Sequence, residues 1–121
     1  MTKIFFCTSN QGKILEASEL LAPYGVQIEA LHADLIEPRD DNMQNIVLAK
    51  ARQALELVKQ PVLVEDTGIY FNEYKNFPGT FTKTFVKAVG ITGVLRLLQG
   101  ANNRTAFFQT MVAFAQPNSQ P

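Results

Sequence analysis

Two adjacent carboxylates, Glu65 and Asp66, follow a short apolar run and precede Thr67 and Gly68. Carboxylates at the end of such a run are costly unless water, a partner group or a metal ion stabilises them. Mg²⁺ prefers oxygen ligands and commonly takes one or two carboxylates together with phosphates and waters. Asp66 is therefore a candidate metal ligand or water-activating base. A plain turn is an equally weighted alternative, because Asp and Gly favour turns.

A second polar segment, residues 8–13, joins a predicted buried strand to a predicted helix. It consists of Thr8, Ser9, Asn10, Gln11, Gly12 and Lys13. A helix N-terminus offers free backbone N–H groups and a partial positive charge, which suit a phosphate, and Lys13 adds a full charge. Taken alone, the segment fits an ordinary N-cap at Asn10 better than a phosphate site. It is not a P-loop, because Cys7 and Ile14 replace the Gly and the Ser or Thr of that motif.

Lys50 interrupts the apolar stripe of the second predicted helix. At about 100° per residue, it points into the middle of the direction that the apolar side chains share. Those side chains are Met43, Ile46, Val47, Ala54 and Leu57. A lysine is rarely buried without a partner. Either Lys50 extends past the stripe to water, or it reaches an anion in a cleft, and the pattern weighs the two equally.

Glu37 lies in an acidic loop with Asp34, Asp40 and Asp41. A run of this kind is usually solvated surface. The alternative is that one loop carboxylate completes a metal site with Asp66, since oxygen ligands from separate segments often share a hard cation. The residues alone leave both interpretations open.

Composition predicts one globular domain and excludes several classes of partner. The chain has 121 residues, 46% hydrophobic and 18% charged, with eleven basic and eleven acidic side chains. The zero net charge argues against binding of a nucleic acid polymer. Cys7 is the only cysteine, which agrees with a reducing cytoplasmic setting. No apolar run approaches the roughly eighteen residues of a membrane span, so no membrane association is expected.

The hydrophobic pattern predicts alternating strands and helices, hence an α/β sheet with covering helices. The predicted strands are 3–8, 26–32, 62–64, 69–71 and 105–115, and the predicted helices are 13–22, 43–59 and 81–98. We expect a turn at residues 65–68 and a break in the last helix near Gly90 and Gly93. Residues 116–121 are predicted to be a disordered tail. Ligands of such sheets bind at the carboxyl ends of strands, where residues 8–13 and 65–68 lie.

Four segments, in order, resemble the inosine/xanthosine triphosphate pyrophosphatase family, also called Ham1-like. They are residues 8–13 with Glu16 following, residues 34–37, residues 64–68 and residues 77–79. The resemblance implies a mixed twisted sheet with flanking helices, in a Ham1/Maf-like arrangement. It further implies two lobes with the active cleft between them, and commonly a homodimer.

The same resemblance implies a Mg²⁺-dependent hydrolysis of ITP, XTP and dITP to the monophosphate and pyrophosphate, which cleanses nucleotide pools. Carried over by position, residues 8–13 are the triphosphate-binding loop and Lys50 contacts phosphate. Glu37 and Asp66 are the metal ligands, and Asp66 is also the general base. Thr67 matches a substrate-contacting position.

The chain departs from the family pattern after the last predicted strand. Family members continue with a Gly-Phe-Gly-Tyr-Asp-Pro-like segment, a later lysine and a Ser-His-Arg-like motif, none of which occurs here. Phe81-Thr82 also replaces the Tyr-Ser of many members. We therefore expect residues 1–115 to form an apparently truncated domain without the C-terminal part of the family fold, and strand 105–115 to expose an apolar edge.

Three interpretations follow from this departure. The first is an active pyrophosphatase, the second a non-catalytic nucleotide- or phosphate-binding fragment, and the third an interaction protein that covers its edge by self-association. Base specificity stays open, and so does the choice between Glu65 and Asp66 as the main base.

Overall fold

Strands and helices alternate along residues 2–121, the part of the chain that the computed structural model describes. The strands are β1 (Thr2–Cys7), β2 (Val26–Ala30), β3 (Val62–Phe71) and β4 (Ala106–Ala115), and the α-helices are α1 (Gln11–Leu21), α2 (Met43–Val58) and α3 (Thr82–Leu98). Short 3₁₀ turns occupy Ala22–Tyr24 and Gly79–Phe81. Among these residues, every helix is too short or too polar to cross a membrane. The predicted mixed α/β class is confirmed.

The four strands form one sheet in the order β2-β1-β3-β4. β1 runs parallel to both of its neighbours, whereas β4 is antiparallel to β3. Because β–α–β connections are right-handed and β2 and β3 lie on opposite sides of β1, the helices α1 and α2 cover opposite faces of the sheet. Accordingly, α1 packs on β2, and α2 packs on β3 and β4.

Side chains of β3 alternate between the two faces. Val62 and Val64 are fully buried in the core beneath α2, and Asp66, two residues further on, falls on the same face. Glu65 points to the opposite face, where Lys13 of α1 binds it. The buried members of the core are Cys7, Val47, Ala51, Ala54, Val62, Val64, Ala113 and Ala115.

The predicted turn at residues 65–68 is wrong, because these residues form the middle of β3. Each residue of β3 pairs with β4, from Val62 opposite Ala115 to Phe71 opposite Ala106. This long partner strand outweighs the local preference of Asp and Gly for turns. The segments predicted as two short strands are therefore one strand of ten residues.

β1 is shorter than β3, and this difference creates a gap beside the centre of β3. The last pair between the two strands is Cys7 opposite Val64. Beyond a gap at residues 65–68, the same edge of β3 is bound by Thr82, the first residue of α3, and by Phe77 in the segment before it. There the Ile69 N–H donates to Thr82 Oγ1 at 2.9 Å, and the Phe71 N–H donates to the Phe77 carbonyl at 2.8 Å.

The helices agree with their predicted positions apart from their boundaries. α1 begins at Gln11, two residues earlier than predicted, and α2 follows an N-cap at Asn42, whose side chain accepts from the Gln44 N–H. The predicted break in α3 occurs at Gly90, where φ is 65° and ψ is 179°. A residue with a side chain rarely adopts such a conformation, so glycine permits the break.

Candidate active site

The segment at residues 8–13 leads from β1 into α1, as predicted, and its last three residues form the first turn of the helix. Asn10 is the N-cap, since its Oδ1 accepts from the Lys13 N–H at 3.2 Å. Thr8 Oγ1 accepts from the Asn10 N–H at 3.2 Å. The remaining members, Ser9, Gln11 and Gly12, are exposed. The connection is thus fixed by its own side chains while its outer surface stays accessible.

Glu65 binds this connection from β3. Its Oε1 accepts from Thr8 Oγ1 at 3.0 Å, and its Oε2 forms an ion pair with Lys13 Nζ at 2.6 Å. Lys13 Nζ also donates to Thr67 Oγ1 at 2.8 Å, and Thr67 Oγ1 donates to Glu65 Oε2 at 3.0 Å. Thr110 of β4 completes the network, with its hydroxyl 2.8 Å from that of Thr67. We call these five residues the Glu65 network.

The Glu65 network keeps its carboxylate ionised. Burial raises the pKa of Glu65. The hydrogen bonds from Lys13 and Thr8 and the Lys13 charge lower it by more than burial raises it, so the pKa lies below its ordinary value. A carboxylate of low pKa with both oxygens occupied is a poor acceptor for a proton from water.

Asp66 lies on the other face of β3 in a different environment. Its Oδ2 is buried and has no hydrogen-bond partner among residues 2–121. Burial raises the pKa of Asp66; the Lys50 charge opposes this shift, whereas the charges of Glu37 and Glu65 add to it. A buried carboxylate oxygen without a partner is costly, so Asp66 is suited to bind a cation or to accept a proton.

Lys50 reaches the gap beside β3 from α2. Its ammonium donates to the backbone carbonyl of Glu65 at 2.7 Å and forms an ion pair with Glu37 Oε1 at 3.3 Å. The carbonyl accepts this bond because β1 has already ended at Cys7. The side chain of Lys50 is only 12% exposed. The structure thus favours the cleft interpretation over a lysine that extends to open water.

A cavity of about 560 Å³ opens at the carboxyl ends of β1 and β2. Of the predicted site residues, Thr8, Ser9, Glu37 and Lys50 line it. The rest of its wall consists of Cys7, residues 31–35 and Lys83. The other predicted site residues, Asp66 and Lys13 among them, do not line this cavity. Lys13 and Thr67 are connected to its wall through Glu65, which accepts a hydrogen bond from Thr8.

Lys83 is a residue that the sequence interpretation missed. It is the second residue of α3 and lines the cavity together with Lys50. A signal existed in the sequence, because a cation in the first turn of a helix opposes the helix dipole and is unfavourable without an anionic partner. Thr110 was missed as well, and its place opposite Thr67 depends on strand register that the sequence does not specify.

The donor set fits Mg²⁺ with limited protein ligation. Within residues 2–121 no group of three or more His, Cys, Asp or Glu side chains is arranged to hold a metal ion. Asp66 nevertheless has a buried oxygen without a partner, and the negative charge of Glu37 acts on it. One or two carboxylates are the usual protein contribution where substrate phosphates supply the other ligands of Mg²⁺.

Comparison with known proteins gives consistent matches along nearly the whole chain. The sequence model described as the Ham1 family matches residues 4–121. A dITP/XTP pyrophosphatase of Methanopyrus kandleri is 36% identical over 119 residues, which cover 98% of this chain and 63% of the relative. An inosine triphosphate pyrophosphatase of Tuber melanosporum is 36% identical over 121 residues and is matched over 64% of its length.

Solved structures agree on the fold. A HAM1 protein from Coxiella burnetii superposes with a TM-score of 0.81 at 22% identity, covering 100% of this chain and 66% of that one. The Staphylococcus aureus Ham1 protein gives a TM-score of 0.78 at 18% identity. The chain therefore spans less than two thirds of the length of each of these relatives.

Proposed function

The chain belongs to the Ham1 family, and we propose that it hydrolyses the purine nucleoside triphosphates ITP, XTP and dITP to the monophosphate and pyrophosphate. The observation that carries this proposal is the buried, unpartnered oxygen of Asp66 on the face of β3 that Lys50 approaches. The names of the relatives, dITP/XTP pyrophosphatase and inosine triphosphate pyrophosphatase, support the choice of substrate.

Three lysines and the helix α1 would bind the triphosphate. Lys50 and Lys83 line the cavity, and Lys13 lies behind its wall at the start of α1. The N-terminus of α1 adds backbone N–H groups and a partial positive charge. Hydrolysis of a phosphoanhydride bond depends mainly on positioning and charge stabilisation, which is what this arrangement supplies.

Glu37 and Asp66 would hold Mg²⁺, which, when bound, neutralises charge on the phosphate oxygens. Asp66 accepts a proton from the water that attacks the α-phosphorus. The bond from the α-phosphorus to the bridging oxygen breaks, and pyrophosphate leaves with that oxygen. Glu65 is less suited to accept the proton, because Thr8, Lys13 and Thr67 occupy its oxygens.

The setting and assembly of the protein are part of the proposal. A nucleotide-pool enzyme acts where free nucleotides are found, so a cytoplasmic location is proposed, in agreement with the unpaired, buried Cys7. A homodimer is proposed from the family resemblance. Sedimentation velocity at several concentrations tests the dimer, and a single monomeric species at all of them contradicts it.

The direct test incubates the purified chain with ITP and MgCl₂ and measures release of pyrophosphate and IMP. The expected result is equimolar release that is abolished by EDTA and slower with ATP or GTP. Binding of ITP without release would identify a nucleotide-binding module instead. Absence of both binding and release would contradict the proposed function altogether.

A further inference from the structure

Glu65 connects four secondary-structure elements at the phosphate side of the site. Its carboxylate accepts from Thr8 at the end of β1 and from Lys13 in α1. Thr67 lies beside it on β3 and is bound in turn by Thr110 of β4. The Glu65 side chain is only 12% exposed, whereas Lys13 is 28% exposed. The acid is thus the inner member of the pair and the lysine the outer one.

We propose that Glu65 is a positioning residue for triphosphate binding, which fixes Lys13 and Thr8 at the two ends of the connection between β1 and α1. This inference rests on the proposed function. It gives the two adjacent acids of β3 separate tasks: Asp66 faces the cation and the attacking water, and Glu65 acts only through Lys13 and Thr8.

The benefit of such positioning is entropic. A free lysine side chain loses rotamer freedom, and therefore entropy, when it is ordered. Lys13 is already held by Glu65 Oε2 at 2.6 Å and Thr67 Oγ1 at 2.8 Å. The ammonium has a third N–H for a phosphate oxygen. Ordering before the ligand arrives lowers the cost of binding it.

Because both of its oxygens are occupied, Glu65 is not available as a metal ligand or as a proton acceptor. Oε1 accepts from Thr8, and Oε2 accepts from both Lys13 and Thr67. In addition, Glu65 and Asp66 are consecutive residues of one strand, so they project to opposite faces of the sheet. Glu65 therefore does not share a metal ion with Asp66 without breaking the network.

The direction of the effect of Glu65→Gln separates positioning from simple charge. Glutamine is nearly isosteric and removes one negative charge close to the place where an anion binds. Charge alone then predicts tighter binding of ITP, since a repulsive interaction is lost. Positioning predicts weaker binding, because the ion pair that orders Lys13 is lost.

The experiment measures the dissociation constant of ITP with MgCl₂ by calorimetry for the wild type, Glu65→Gln, Lys13→Met and the double variant. We expect Glu65→Gln to weaken ITP binding about tenfold in the wild type and less than about twofold in the Lys13→Met background. The two substitutions should not have additive effects, because Glu65 acts through Lys13. Glu19→Gln is the matched control, because Glu19 is an exposed acid of α1. It makes the same change of charge and should leave binding unchanged.

Tighter binding by Glu65→Gln, or equal effects in both Lys13 backgrounds, would overturn the inference while leaving the proposed function intact. Failure of the wild type to bind ITP would overturn the proposed function, and the inference with it. If Glu65→Gln does not fold, the inference is tested on the wild type by measuring hydrogen exchange of the Lys13 side-chain ammonium with ¹H–¹⁵N NMR. A slowly exchanging signal supports the inference, and exchange as fast as that of the exposed Lys87 overturns it.

Discussion

At the scale of single residues, burial and partners decide what each acid of β3 does. Both oxygens of Glu65 are occupied by the Glu65 network, and its pKa is lowered because the bonds from Lys13 and Thr8 outweigh burial. Asp66 has a buried oxygen without a partner, and burial raises its pKa. Two neighbouring carboxylates with pKa values shifted in opposite directions are typical of a site that divides tasks between acids.

Lys50 provides the first prediction at this scale. Lys50→Met removes the ammonium that binds the Glu65 carbonyl and Glu37 but fits the apolar stripe of α2. We expect the ITP dissociation constant to rise about tenfold, equivalent to about 1.4 kcal/mol. The lost hydrogen bond costs about 1 kcal/mol, which added apolar contact offsets, so the melting temperature should change little. Calorimetry and thermal unfolding measure both, and lost stability with unchanged binding would make Lys50 structural.

Lys83 and Lys87 provide a matched pair on one helix. Both lysines are exposed, but Lys83 lines the cavity, whereas Lys87, one turn further along α3, lies outside its wall. Lys83→Met should weaken ITP binding by about fivefold to tenfold, because a lysine near phosphate contributes a charge-assisted contact. Lys87→Met should change it by less than about twofold, as expected of a surface charge. Titrations at low and high salt measure both, and equal losses would mean that only net charge matters.

At the scale of elements, β3 positions the site because it extends beyond the end of β1. The strand continues for seven residues beyond its last pair with β1, at Val64, and its free edge admits Lys50 from α2. Further along, the same edge binds Thr82, the first residue of α3, and so brings Lys83 to the cavity. One strand therefore places groups from α2 and from α3 around a single gap.

The sequence predicted those parts of the fold that depend on local pattern. The apolar period of α2 and the N-caps of α1 and α2 are local signals, and both helices are found close to where they were expected. The course of residues 65–68 is not local, since it depends on β4, about 45 positions later in the chain. For the same reason, the pairing of Thr67 with Thr110 was not predictable from the sequence, whereas Lys83 had a local signal as a cation in the first turn of a helix.

Gly68 tests how closely β3 is packed against the segment before α3. A Cβ at Gly68 would overlap the backbone oxygen of Gly79 and lie 2.9 Å from its carbonyl carbon. We expect Gly68→Ala to destabilise the fold by about 2–3 kcal/mol, as overpacking against a rigid backbone does. Chemical denaturation measures this change.

Gly12→Ala is the control for that prediction. Its added Cβ would meet only the side-chain oxygen of Asn10, at 3.1 Å. Alanine is favoured over glycine within a helix by up to about 1 kcal/mol, which offsets the small shift required of the Asn10 side chain, so this variant should change stability much less than Gly68→Ala. If both variants have the same stability, the contact between Gly68 and Gly79 does not constrain the fold.

At the scale of the whole molecule, β4 is one of the two edge strands of the sheet, as the sequence predicted for it. Three of its apolar residues lie on the α1 face and are strongly exposed: Phe108 at 73%, Val112 at 59% and Phe114 at 40%. An apolar edge strand favours association with other chains. The chain also spans less than two thirds of the length of the relatives described above, so activity and oligomeric state are best measured together.

Catalysis centred on Asp66 is tested most directly by comparing the wild type with Asp66→Asn. The measurement is the rate of pyrophosphate release from ITP with MgCl₂, at protein concentrations where both proteins are folded. Loss of the base should slow release by at least about 100-fold. The asparagine variant should still unfold cooperatively and bind ITP, because the Glu65 network on the other face is untouched. Equal rates of release from the two proteins would contradict the assignment of Asp66 as the catalytic base.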